Sequence, residues 1–126
     1  MKKEDFYTVP KANAGIKLPL LKEDGSDSGQ WLLVRGTDSD AFRKSSFESS
    51  QAVSKLPEDM DDWERSRAID EVILNDLVAL VAGWSFKEAC TPDAVREFLK
   101  NAPQIAAAID QVAADRTKFY GAKPAK

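Results

Sequence analysis

The chain contains no histidine. Imidazole is therefore unavailable as a metal ligand, a proton shuttle or the base that activates a serine or cysteine, and the commonest hydrolase constellations fall away. One cysteine, Cys90, allows neither an internal disulfide nor a thiolate zinc site. It reads as a small, partly buried apolar residue and fits a reducing compartment. Positive charge is not in excess: 18 Lys and Arg against 21 Asp and Glu give a net charge of -3 and a pI near 5.0, far from the basic footprint of a nucleic-acid binder. Long hydrophobic runs are missing too. Residues 69–84 are interrupted by Asp70, Glu71, Asn75 and Asp76, short of the ~20 apolar residues that a membrane span needs. Met1-Lys2-Lys3-Glu4-Asp5-Phe6 has no apolar stretch behind its lysines and does not read as a secretory signal. The expectation is a soluble protein with no membrane and no nucleic-acid partner.

What is present suits one domain. A chain of 126 residues buries roughly two-thirds of its unfolded surface, and 43% hydrophobic with 31% charged residues is ordinary for a globular protein. Residues 1–14 mix charge, Pro10 and Asn13 without periodicity and read as a flexible arm before a domain over 15–121. Residues 122–126 read as a loose tail. Ile16-Lys17-Leu18-Pro19-Leu20 and Trp31-Leu32-Leu33-Val34-Arg35 predict two short strands, joined by the turn-forming Asp24-Gly25-Ser26-Asp27-Ser28-Gly29. Pro19 lacks a ladder donor and puts the first strand at an edge. The alternating oxygens of that turn faintly resemble a calcium loop, but Arg35 stands where the bidentate Glu belongs.

Helical signals follow. Thr37 or Asp38 is placed to cap a helix over about 39–53, whose apolar positions Ala41, Phe42, Phe47 and Ala52 are sparse. From Asp59 onward Trp63, Ile69, Val72, Ile73, Leu77, Leu80, Val81 and Trp84 recur at three- and four-residue steps, predicting a long central helix with Gly83 as its C-cap. Thr91-Pro92-Asp93 starts a short helix packed through Val95, Phe98 and Leu99. Asn101-Ala102-Pro103 breaks it and opens a last helix with Ile105, Ile109, Val112, Arg116 and Phe119 on one face, stopped by Gly121 and Pro124. The predicted class is α+β: mainly helical, with a short N-terminal β-hairpin followed by about four helices.

Catalytic chemistry is not visible. Gly36-Thr37-Asp38-Ser39 lacks the second glycine of a phosphate cradle and carries a carboxylate where phosphate would sit, so it reads as a cap. Carboxylate neighbours such as Asp61 and Asp62 splay about 100° apart on a helix and do not converge on one atom. The last two helices imitate a helix-turn-helix, yet acids Asp93, Glu97, Asp110 and Asp115 balance bases Arg96, Lys100, Arg116 and Lys118. The remaining feature is large apolar side chains. Trp31, Trp63 and Phe98 read mostly as core, whereas Trp84 and Phe86 at the exit of the long helix, and Phe119 and Tyr120 near the end of the last, are the candidates for a partner-binding patch.

In order and spacing, Leu33-Val34-Arg35-Gly36 followed by Thr37-Asp38-Ser39 and Phe42-Arg43, then Gly83-Trp84, Phe98-Leu99, Asn101-Ala102-Pro103, Ile105, Ile109 and Phe119 resemble the tail assembly chaperones of long-tailed bacteriophages over residues 31–121. Residues 85–90 are shorter than the polar loop of many relatives. The resemblance implies a non-catalytic protein without cofactor or metal that coats the tape measure protein, keeps it in solution and promotes tail tube assembly. It further implies a place in the host bacterial cytoplasm and absence from the mature virion. The tail tube protein would be engaged through a longer form made by translational frameshift, and self-association into a homo-oligomer would multiply weak contacts along the client. The alternatives are another small structural or adaptor protein of the phage tail, and a helix-turn-helix regulator.

Overall fold

The structure, a computed structural model, describes residues 1–120. It is α+β: among the described residues there are five α-helices and a three-stranded antiparallel sheet in the order β1-β2-β3. In chain order these are α1 (Val9–Ala14), β1 (Ile16–Leu21), β2 (Asp27–Val34), α2 (Asp40–Ser54), α3 (Asp62–Leu80), β3 (Val81–Trp84), α4 (Pro92–Asn101) and α5 (Pro103–Ala114). Short 3-10 turns cover Lys3–Phe6 and Arg116–Lys118. Among the described residues, no helix is long and apolar enough to cross a membrane.

The hairpin forms where turn chemistry puts it. Gly25 adopts φ +87°, and Asp24 accepts bonds from the Ser26 amide and hydroxyl at 2.9 and 2.6 Å, an Asx turn that lets Lys22 N–H reach Ser26 O at 2.7 Å. β1 pairs with β2 through Leu18↔Leu32 and Pro19↔Trp31 and lies at the sheet edge, where proline costs no ladder bond. Alternation then sorts the faces: Leu20, Leu32 and Val34 turn inward, while Lys17 sets its ammonium 4.4 Å over the Trp31 ring on the outer face.

The central strand requires a second partner, and this changes the end of the long helix. α3 stops at Leu80, not at a Gly83 cap; Val81 is extended at φ -93°, ψ 111°, and residues 81–84 pair with β2 through Leu32↔Trp84 and Leu33↔Gly83. Val81 and Trp84 continue the three-four spacing of Leu77 and Leu80, so periodicity alone assigns them to the helix. Pairing with an otherwise open β2 edge outweighs that local preference. α3 also begins later than expected, at Asp62, with Asp61 accepting from the Trp63 and Glu64 amides. Two members of its supposed buried stripe, Trp63 and Ile73, are 68% and 52% exposed.

The N-terminal segment corrects another expectation. Residues 1–14 contain α1, not an aperiodic arm, and Ala12 on α1 is 1% exposed. Its docking site is Gly36. A Cβ there would lie 2.9 Å from Ala12 Cβ and 3.2 Å from the Phe119 ring. Gly36 N–H donates to Ala12 O at 3.1 Å and Thr37 N–H to Ala113 O at 3.0 Å. Ser39, fully buried, caps α2 by accepting from Phe42 N–H at 3.3 Å, so neither Thr37 nor Asp38 is the cap. Asp38 instead takes two bonds from the Arg116 guanidinium, at 2.8 and 2.9 Å, and one from the Thr8 hydroxyl at 3.2 Å.

Phe119 is likewise not at the surface. α5 ends at Ala114, Asp115 caps the turn at Arg116–Lys118, and this reversal drives Phe119 inward to 2% exposure. The expected stop at Gly121 and the tail 122–126 lie outside the described residues. The main core collects Leu20, Leu32, Val34, Leu80, Val81, Val95, Leu99, Ile109 and Ala113, with Leu77 packed against it.

Two outcomes follow. Phe119→Ala should destabilise by about 3–5 kcal/mol in urea melts, as buried aromatic truncations do, and Gly36→Ala by about 1–3 kcal/mol through overpacking. The second concerns pH. Hydrogen bonds from Arg116 hold the Asp38 carboxyl below its ordinary value, against the opposing effect of partial burial. Its contribution is therefore complete above the unfolded carboxylate value, about 3.9, and is lost as pH falls through the lower folded value. Asp38→Asn should lower the melting temperature at neutral pH and flatten the acid limb of the stability profile below about pH 4.

Candidate functional site

β3 and the chain that leaves it build the most developed surface feature. Because Trp84 pairs opposite the buried Leu32, its indole turns to the inner face of the sheet, toward α4. There it meets Phe86 edge-on at a centroid distance of 5.2 Å and Phe98 of α4 at 6.0 Å; Phe86 and Phe98 are 5.4 Å apart. All three pairs are T-shaped, the arrangement in which a positive ring edge meets a negative face. Trp84 Nε1–H donates to Glu88 O at 2.8 Å, tying residues 85–88 over the cluster. Ser85 adds a bond to Gln30 at 2.6 Å and its backbone N–H reaches Trp31 O at 3.0 Å.

All three rings remain half-buried and line a cleft of about 450 Å³ together with Glu88, Ala94, Glu97 and Asn101. Its floor is apolar and its rim carries two carboxylates. Such a site accepts an apolar side chain flanked by basic groups. Its lining includes no Ser, Thr, Cys or Lys side chain.

Of the four side chains singled out from sequence, the structure brings Trp84 and Phe86 together and separates the other two. Phe119 belongs to the core, and Tyr120 is 42% exposed at the far end of α5. Phe98, assigned from sequence to the core, is the third wall of the cleft. No signal in the sequence separates the two roles, because the helical repeat that turns Phe98 toward the body fits a core position and a cleft wall alike.

A second cleft, of about 540 Å³, separates the edge strand β1 from α5 and is walled by Leu18, Leu20, Leu21, Ile105 and Ala108. A third, of about 420 Å³, contains Arg35, Asn75 and Cys90. Burial raises the Cys90 thiol above its ordinary value and outweighs the opposite pull of Arg35, whose guanidinium is engaged with Ala79 O at 3.0 Å. The thiol is thus protonated at neutral pH and a poor nucleophile. Among the described residues there is no cluster of three or more His, Cys, Asp or Glu that would hold a metal.

Cys90 should accordingly react with an aromatic disulfide reagent at pH 8 roughly tenfold or more slowly in the folded protein than in denaturant, as read by thiolate release. Comparison with known proteins adds no relative: no family model matches the chain, and neither a curated protein nor a solved structure matches it significantly.

Proposed function

We propose that the protein is a non-catalytic tail assembly chaperone of a long-tailed phage, binding the tape measure protein and holding it in solution while the tail tube forms around it. The carrying observation is the half-open aromatic cleft of Trp84, Phe86 and Phe98 with Glu88 and Glu97 at its rim. The resemblance of residues 31–121 to that chaperone family is the reason for choosing this client. Burying one Leu- or Phe-sized side chain in such a cleft contributes about 1.5–3 kcal/mol. That is too little for a tight binary complex. It suits a holdase, which must engage many sites along an extended client and release them as tube subunits arrive, with avidity supplied by several copies. The excess of acidic residues keeps the loaded complex charged.

In this reading the tail tube protein is met through a longer, frameshifted form, and the chaperone acts in the host cytoplasm and leaves before the virion is complete. Tyr120 is a peripheral contact at most, and Phe119 has no direct part.

Co-expression with the long protein encoded downstream should raise the soluble fraction of that protein well above the level reached with an unrelated acidic protein. Phe86→Glu should abolish the gain with the helical circular dichroism retained, and Tyr120→Ala should leave most of it. No gain with the native chain would sink the chaperone reading; a gain untouched by Phe86→Glu would move the client to another face.

A further inference from the structure

The aromatic cleft has two walls of different periodicity. Trp84, Phe86 and Glu88 line it at every second residue, as an extended chain presents one side, and Ala94, Glu97, Phe98 and Asn101 line it as one stripe of α4. From Ala94 to Asn101 this second wall runs roughly 10 Å along the helix axis. The groove therefore has room for about two turns of helix or three extended residues, more than a single apolar side chain occupies.

Its polar groups are one-sided. The side-chain donors of the lining, Trp84 Nε1–H and Asn101 Nδ2–H, both bond to backbone carbonyls of the same walls, Glu88 O and Glu97 O, each at 2.8 Å. The rim is left rich in acceptors: the Glu88 and Glu97 carboxylates and Asn101 Oδ1. Charge follows the same pattern. Along the sequence α4 is neutral, Asp93 and Glu97 against Arg96 and Lys100. In the fold both bases reach Glu71 of α3, at 2.9 and 3.2 Å, and among the described residues neither Glu88 nor Glu97 is in an ion pair. The bases are thus spent on α3, and the groove keeps its negative charge beside three aromatic rings.

We propose that this groove recognises an arginine carried beside the apolar side chain of the segment it binds. The inference rests on the reading of the cleft as the client site and adds what the client presents there. The apolar side chain fills the floor. The guanidinium, a cation with donors only, meets the acceptors of the rim. Glu97 and Asn101 are one helical turn apart, about 5–6 Å between Cβ atoms, so a planar fork reaches both while its stem lies along the rings. Glu88 on the facing wall adds a second negative charge. Lysine supplies the charge without the fork, and a carboxylate or phosphate meets two like charges and is rejected.

The probe is a capped glycine-serine peptide with one leucine and an arginine two residues to each side, compared with the same peptide carrying citrulline or glutamate for arginine. Binding to the full chain is read by NMR from the Trp84 indole N–H signal, assigned with Trp84→Phe. The arginine peptide should bind roughly tenfold or more tightly than the citrulline peptide, and the glutamate peptide not at all. Raising salt from about 50 to about 500 mM should remove most of that preference in the native chain. Glu88→Gln with Glu97→Gln should erase it while leaving citrulline binding unchanged, since both carboxylates are exposed, and Phe86→Ala should weaken both peptides. Equal binding of the arginine and citrulline peptides would overturn the proposal, as would a preference that survives the double glutamine variant or a Trp84 signal that no peptide moves. No client enters this measurement. Equal peptides alongside Phe86-dependent client solubilisation would remove the arginine and leave the chaperone reading, and an arginine preference without client solubilisation would do the reverse.

Discussion

The contact that ties α1 and Phe119 to the exit of β2 depends on the absence of a side chain at Gly36. Three segments far apart in sequence meet there: Ala12 of α1, the strand exit at 36–39, and Phe119 beyond α5, and the contacts of 2.9 and 3.2 Å leave no room for a methyl group. Close approach alone would strand polar backbone, yet the Gly36 and Thr37 amides find carbonyls on α1 and α5. Around this dry contact Asp38 collects Arg116 and Thr8. The exposed ion pair is worth little by itself. Its effect is geometric, since it ties Arg116, three residues before the buried Phe119, to Asp38 beside the buried Ser39 cap.

β2 is the second organising element, and it connects the core to the surface. Its inward side chains, Leu32 and Val34, are completely buried, and its two neighbours come from opposite ends of the helical hairpin's insertion. Because β3 must pair with β2 immediately after α3 ends, Trp84 is delivered to a fixed place against α4, and Phe86 follows two residues later. The strand register therefore sets Trp84, and the bond from Trp84 Nε1–H to Glu88 O ties down the segment that carries Phe86. The α2–α3 hairpin is the opposite case: it leaves Phe47, Ile73 and Trp63 exposed.

Much of this was legible locally. Thr91 as a cap with Pro92 behind it, the Asp24-Gly25-Ser26 turn, the edge position of the strand with Pro19 and the break at Ala102-Pro103 all depend on interactions within a few residues, and each is found where its chemistry puts it. The sequence also pointed to Trp84 and Phe86 as a surface pair. Residues governed by distant partners were misplaced. Phe119 looked peripheral because the reversal at Asp115 and the pocket beside Gly36 are invisible in a helical repeat, and Trp63 and Ile73 looked buried because periodicity marks a face without saying whether anything covers it.

The sequence by itself thus determined the α+β class, the starts of α4 and α5, the hairpin turn, and a chain without imidazole or paired thiols, because these follow from composition and from contacts close along the chain. The tertiary structure alone decided that residues 81–84 are a strand, that residues 9–14 are a docked helix, that Phe119 is core and that Phe98 walls a cleft. The physical reason is the same in each case: backbone pairing and burial depth are properties of partners many residues away, and their free energy outweighs a local preference worth only a few tenths of a kcal/mol per residue.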